Sequence, residues 1–363
     1  MTLITVLSLT GGFVLLIIGA DALVRGASRI AAALGISPIV IGLTVVAFGT
    51  SSPELAVCLQ SVYKSQPDFA IGNAVGSNIF NILFILGIAS MITPLMVAPQ
   101  LIKLDVPLMI VVSIALFLFG LNGSIDRFEG LILLGVLTAY ITYLVTHSRK
   151  ESKQFRKLQK LELDYKTKHN FKRWLVNIGL VISGLIMLVY GSDLLLESAI
   201  TIARTLGVSE LIIGLTIISV GTSLPEVFTS IIASIRGEKD IAVGNLIGSN
   251  IFNIMAIIGL TSILAPNGIR VLPDAMNFDI PVMIGVAIIC LPIFYTGNLI
   301  SRWEGVLLFF YYLIYTAFLI LRASNNKMLM VFDTIVLAFI LPLTLLTLLV
   351  ITFKSFRKHR KEA

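Results

Sequence analysis

The chain repeats itself, and that repeat limits its fold more than any other feature. GLTVVAFGTSSPEL at Gly42–Leu55 returns as GLTIISVGTSLPEV at Gly214–Val227. IGNAVGSNIFNILFILG, ending at Gly87, returns as VGNLIGSNIFNIMAIIG, ending at Gly259. The offset is 172 residues from Asp21/Asp193 to Gly87/Gly259. It then drifts slightly: Asp105-Val-Pro107 matches Asp279-Ile-Pro281, and Arg127-Phe-Glu-Gly130 matches Arg302-Trp-Glu-Gly305.

Each copy holds five apolar stretches, and a membrane helix needs about 20 such residues. They are Leu3–Ala20, Ile36–Tyr63, Ala70–Met91, Val106–Leu121 and Gly130–Thr146, then Leu175–Leu196, Leu211–Ile235, Ile241–Leu264, Ile280–Tyr295 and Gly305–Leu321. Met330–Phe353 is an eleventh, outside the repeat. The spans must be helices, because lipid satisfies no open backbone. An odd number of crossings per copy forces the second copy upside down relative to the first. The expected fold is therefore an all-α integral membrane protein with a ten-helix core of two inverted five-helix repeats, residues 1–147 and 174–322. A basic cytoplasmic linker at 148–173 joins them, and an additional eleventh transmembrane helix with a basic tail fills 323–363.

Composition agrees: 57% of residues are hydrophobic and 13% charged, where a soluble domain carries about 25% charged. The net charge of +7 is a topology signal and not a nucleic-acid one, because cytoplasmic loops collect Lys and Arg. Residues 149–173 hold ten basic side chains, so the linker is placed inside, and the five helices before it put the N-terminus outside. Threading the rest divides the 27 Lys and Arg into 21 inside and 6 outside. Eleven helices also bring the tail, Lys354 to Lys361, to the cytoplasmic side of a cell membrane. The first stretch lacks the basic n-region of a cleaved signal. Cys58 and Cys290 read as packing residues without a disulfide framework. His147, His169 and His359 sit at loop or tail positions, so neither zinc nor a redox cofactor is expected.

A carboxylate inside a membrane is costly and is a functional hypothesis by default. Glu54 and Glu226 are two, with no Lys or Arg at comparable depth. At helical spacing Ala47, Thr50, Ser51 and Glu54 share a face, as do Ser219, Thr222, Ser223 and Glu226. Pro53 and Pro225 have no N–H, which frees the carbonyls of Gly49 and Gly221 from the helical ladder. In the next span of each copy Asn73, Ser77 and Asn81 recur as Asn245, Ser249 and Asn253; ligand roles and interhelical glue are both open readings of these. Gly72-xxx-Gly76 and Gly244-xxx-Gly248 are small-residue faces that permit close helix approach. Every candidate ligand is an oxygen, which suits hard cations; softer metals would call for Cys, Met or His.

These motifs resemble the two alpha-repeats of the calcium/cation antiporter superfamily, and among its branches the sodium/calcium exchangers of prokaryotic type. The resemblance covers the first ten spans. It implies a site at mid-membrane between the second, third, seventh and eighth helices. By position, Glu54 and Glu226 would be the shared calcium ligands, with Thr50, Ser51, Thr222, Ser223, Ser77 and Ser249 supplying further oxygens. Ala47 and Ser219 would contribute backbone carbonyls, and Asn81 and Asn253 would occupy the central position. The implied activity is secondary active exchange of sodium for calcium by alternating access, electrogenic and calcium-extruding, with the first and sixth helices sliding across the core. Asn at both central positions departs from relatives with Asp there and argues against potassium dependence. The third span has no Glu near Ser77 or Ser249, which disfavours the alternative, a proton/calcium antiporter. The short linker leaves no room for large calcium-sensing domains.

The implied partners are calcium, sodium and the lipid bilayer. An enzyme is not expected: no nucleophile or cofactor motif accompanies the two acids. A passive channel fits duplicated broken helices less well than a carrier. Asp21 and Asp193 are open to a helix-end contact or a permeation role, and Asp105 and Asp279, each two residues before a Pro, read as helix starts.

Overall fold

The computed structural model describes residues 3–324 apart from 65, 67, 159–170 and 209, and beyond them only 328, 329, 334–336 and 342. The expected eleventh helix, the tail and the middle of the basic linker lie outside the described residues.

The described chain is helical. In order come α1 (Leu3–Leu34), α2 (Pro38–Thr50), α3 (Ser52–Tyr63), α4 (Phe69–Ile92), α5 (Leu101–Gly120) and α6 (Arg127–Leu158). Then follow α7 (Phe171–Thr205), α8 (210–221), α9 (Leu224–Ile235), α10 (Lys239–Leu264), α11 (Ala275–Tyr295) and α12 (Arg302–Ala323). Among the described residues eight helices are long and apolar enough to cross a membrane, and α2 with α3 make a ninth span bent by 42°. Lipid explains their outward faces: Phe13, Val111, Leu131, Ile186 and Phe310 are large, apolar and exposed.

Glycine sets the closest packing. A side chain on Gly12 would run into Gly191 O, and one on Gly19 into Gly184 O, so α1 and α7 pack antiparallel with their backbones nearly touching. These positions are equivalent in the repeat, so the contact is reciprocal. The halves also exchange helices. Gly130 of α6 lies on Gly259 and Ser262 of α10, while Gly305 of α12 lies on Gly87 and Ser90 of α4. One buried core therefore draws on both halves, including Leu43, Ile79, Leu246, Ile254 and Phe294.

The connections pair across the halves in the same way. Leu95–Met96 (β1) bonds to Leu299–Ile300 (β4), and Ser124–Ile125 (β2) to Ile269–Arg270 (β3). The repeated Glu of RFEG and RWEG proves to be a cap. The Asp126 N–H donates to Glu129 and the Glu129 N–H to Asp126, both at 2.9 Å. Ser301 and Glu304 form a full capping box at the start of α12.

Two expectations need correction in part. Asp105 and Asp279 do stand at the start of α-helical turns, Val106–Gly120 and Ile280–Tyr295, but each also closes a wider π turn, Leu101–Asp105 or Ala275–Asp279, that opens the same span. Pro107 and Pro281 lie just beyond and supply no N–H to the ladder, which is where the register slips. Asp105 is fully buried and accepts from Tyr140 Oη at 2.8 Å and Gln100 Nε2 at 3.1 Å; Asp279 accepts from Tyr315 Oη at 3.1 Å. The second correction concerns the glycine faces. Gly244 and Gly248 do meet α2 closely, with Ile39 O and Leu43 O in the way of any side chain, but Gly72 and Gly76 have nothing within 4 Å among the described residues.

Candidate ion-binding site

Both glutamates sit just past a break. Pro53 and Pro225 occupy the first turns of α3 and α9, where a missing N–H costs nothing. Ser51 (φ −83°, ψ 5°) and Ser223 (φ −90°, ψ 7°) leave the helical region immediately before. The bend therefore interrupts the helix within the expected face from Ala47 to Glu54, while Thr50, Ser51 and Glu54 still line one site. Glu54 and Glu226 instead fall in the first turn of a new helix, where the dipole favours a negative charge, and both are 1% exposed.

What gathers the site is contact between halves. The Ser51 hydroxyl donates to Glu226 Oε1 at 2.9 Å, and the Ser223 hydroxyl donates to Glu54 Oε1 at 3.0 Å. Ser77 Oγ lies 3.2 Å from Ser223 Oγ, and Ser249 Oγ lies 3.5 Å from Glu226 Oε1. The Thr50 hydroxyl donates to Asn245 Oδ1 at 3.1 Å, and Asn245 Nδ2 donates to Ser230 Oγ at 3.1 Å. Ala47 O accepts the Ser51 N–H at 3.0 Å. Ser219 opens the last turn of α8; its side chain lies outside the described residues.

The structure thus brings together Thr50, Ser51, Glu54, Ser77, Ser223, Glu226 and Ser249. Asn81 and Asn253 sit one turn beyond the serines on α4 and α10, each 1% exposed. Thr222 is set apart, because no donor or acceptor among the described residues meets its hydroxyl. Five buried oxygens here have no hydrogen-bond partner: Glu54 Oε2, Glu226 Oε2, Asn81 Oδ1, Asn253 Oδ1 and Thr222 Oγ1. Four of the five can only accept. Oxygens left bare in a low-dielectric interior are costly, and a bound cation removes that cost. No cluster of three or more His, Cys, Asp and Glu exists among the described residues, so neutral oxygens must complete any coordination shell around the two carboxylates.

Sequence reasoning missed three contributors. Asn78 and Asn250 bond across the halves to the central asparagines (Asn81 Nδ2 to Asn250 Oδ1, 2.9 Å; Asn253 Nδ2 to Asn78 Oδ1, 3.0 Å). The signal was present, since both lie in the repeated GSNIFN. Cys58, read as packing, accepts from Asn73 Nδ2 at 3.4 Å, as its equivalent Ser230 does from Asn245.

The site is asymmetric in one respect. Thr50 reaches Asn245, but its equivalent Thr222 does not reach Asn73. Together with the open Gly72 and Gly76, this leaves α8 standing off α4 where α2 closes on α10. On the closed side α1 is tied down as well. Asp21 pairs with Arg236 and, at 2.7 Å, with Arg25; Ser28 donates to Glu238 at 2.7 Å. Asp21 is thus a helix contact, while Asp193 is exposed.

The sequence profile of the sodium/calcium exchanger protein family matches residues 4–146 and 176–321. The putative antiporter CaxA of Alkalimonas amylolytica is 44% identical over 258 residues, 70% of this chain and 79% of that protein. The sodium/calcium exchanger MaX1 of Methanosarcina acetivorans is 33% identical over 341 residues, 83% of this chain and 94% of that protein. The solved sodium/calcium exchanger from Methanococcus jannaschii superposes with a TM-score of 0.74 at 30% identity, covering 87% of this chain and 99% of that one. With both halves matched by the profile and nearly the whole of two relatives covered, this chain belongs to the sodium/calcium exchanger protein family.

Proposed function

We propose that the protein is a secondary active antiporter that exchanges sodium for calcium across the membrane by alternating access. The observation that carries this reading is the pair of buried carboxylates, each with one oxygen held by a serine of the other half and one oxygen bare. Two negative charges balance one calcium or two sodium ions, so competition for one cage couples the two fluxes. Glu54, Glu226, Ser51, Ser223, Ser77, Ser249 and Thr50 form the cage. Asn81 and Asn253 line its centre, Thr222 lies on its open side, and Ala47 and Ser219 offer carbonyls at the helix breaks.

The antiparallel contact of α1 with α7 supports two inverted repeats, 1–147 and 174–322. The broken pair α8 and α9 is then a tenth crossing beside the nine long spans, and the eleventh helix and cytoplasmic tail follow. Basic-residue counting puts the N-terminus outside, so the open gap between α8 and α4 faces outward and the Asp21–Arg236 side faces the cytoplasm. In this reading the protein stands open to the outside, and calcium extrusion needs the α1–α7 pair to slide until the gap closes and the other side parts. Calcium leaves electrogenically as several sodium ions enter.

The test is ⁴⁵Ca²⁺ uptake into sodium-loaded proteoliposomes diluted into sodium-free, potassium or acid-jump buffer. Uptake that needs only the outward sodium gradient is expected. Calcium movement no greater than in empty liposomes would overturn the proposal, and uptake driven by the proton gradient alone would move the chain to proton/calcium exchange.

A further inference from the structure

Four asparagines meet at the centre of the molecule, and their bonds fix which way each amide faces. Asn78 Nδ2 donates to Asn250 O at 3.2 Å, and Asn250 Nδ2 donates to Asn78 O at 3.2 Å. A backbone carbonyl only accepts, so neither of these amides can be turned over without setting oxygen against oxygen. The remaining hydrogens of the two NH₂ groups face sulfur: Met283 Sδ at 3.5 Å from Asn78 and Met109 Sδ at 3.6 Å from Asn250. Each Oδ1 is then free to accept, and each does. Asn253 Nδ2 donates to Asn78 Oδ1 at 3.0 Å, and Asn81 Nδ2 donates to Asn250 Oδ1 at 2.9 Å. One hydrogen of each NH₂ group of Asn81 and Asn253 is thereby taken up, which fixes the amide and leaves its Oδ1 atom bare and buried.

We propose that Asn78 and Asn250 are positioning residues for transport: each, anchored on the backbone of the other half, holds a central amide so that Asn81 and Asn253 turn only carbonyl oxygen towards the cation. The proposal rests on the reading of Asn81 and Asn253 as lining the ion path. An unbraced asparagine rotates about its last torsion and presents NH₂, a donor that repels a cation. The brace selects the acceptor face in both halves at once, and because it is reciprocal, one backbone shift disturbs both central ligands.

The chemistry gives a test that simple packing does not pass. Asn78→Leu removes the acceptor for Asn253 Nδ2 and lets that amide turn. The apparent KM for sodium and calcium is expected to rise roughly tenfold, equivalent to about 1.4 kcal/mol, with a much smaller change in maximal rate. Asn253→Asp in the native background sets a carboxylate oxygen against Asn78 Oδ1 and also weakens exchange. In Asn78→Leu, however, Asn253→Asp is expected to lower KM again, because both carboxylate oxygens accept and neither orientation is wrong. That change of sign, measured as sodium-driven calcium flux from purified monodisperse protein in proteoliposomes, supports the brace. Additive losses in the double variant, or unchanged KM values in Asn78→Leu, would overturn it. If Asn78→Leu does not fold, the mirror pair Asn250→Leu with Asn81→Asp gives the same reading. Absence of exchange in the wild type would reject the transport reading itself and the brace with it.

Discussion

At the scale of single residues, Glu54 and Glu226 combine a cost and a purpose. Each is almost wholly buried, and each keeps one oxygen without a donor. Removing one partner of a buried carboxylate–cation pair costs about 3–5 kcal/mol of that interaction. Replacing either with Gln, which keeps the shape and removes the charge, is expected to cut sodium-driven calcium flux by at least ~100-fold. It also relieves the ion-free protein of a buried charge. The variant should therefore melt no lower than the wild type without ions, and calcium should no longer raise its melting temperature. Native-like flux from either variant would remove the carboxylates from the mechanism. The sequence announced both acids, because a Glu in an apolar run has few structural explanations. Asn78 and Asn250 were equally visible as repeated letters, but an asparagine one residue from a candidate ligand looks the same whether it binds an ion or braces another amide. Only the cross-half hydrogen bonds separate the two.

At the scale of elements, the breaks matter more than the helices. Helical spacing puts Ala47, Thr50, Ser51 and Glu54 on one face, and the bend at Ser51 interrupts the helix within that face. The hydroxyls still converge because each serine crosses to the opposite glutamate. Pro53 is the residue that makes the break tolerable: proline inside a continuous helix costs about 3 kcal/mol, and at a first turn almost none. Pro53→Ala restores an N–H and allows α2 and α3 to join. The expected result is a melting temperature equal to or above the wild type, with exchange lowered about tenfold or more as Glu54 swings away from Ser223. A loss of stability without loss of flux would mean that the bend is held by something other than the proline. The π turns ahead of Pro107 and Pro281 tell a related story: the sequence marks the disturbance, and packing decides whether it becomes a helix start, a kink or an extra residue in the turn.

At the scale of the whole molecule, the two halves share a sequence pattern yet are not in the same state. Among the described residues Thr50 meets Asn245 while Thr222 meets no partner, and glycines packed closely on α10 are open on α4. The Asp21–Arg236 pair closes the side opposite the gap. Both of its side chains are partly exposed (24% and 47%), so its contribution is about 0.2–1 kcal/mol, a few-fold in population. Arg236→Ala is therefore expected to increase, a few-fold, the labelling of a Leu43→Cys reporter by an impermeant maleimide from the face that the proposed topology places in the cytoplasm, since Leu43 is buried against Gly248. Unchanged labelling would show that the pair does not hold that side shut.

The sequence by itself determined the class of the molecule, its duplication, the sites of its broken helices and the chemical nature of its candidate ligands. Those properties follow from hydropathy, odd span number, proline and the cost of buried charge, all of which act along the chain. Tertiary structure alone decided that each cage half is completed by the other, that four asparagines lock one another's orientation, and that one side stands open. These depend on which groups meet across the interface between the halves, and two repeats with the same polar motifs carry no record in those letters of which of two equivalent contacts is made.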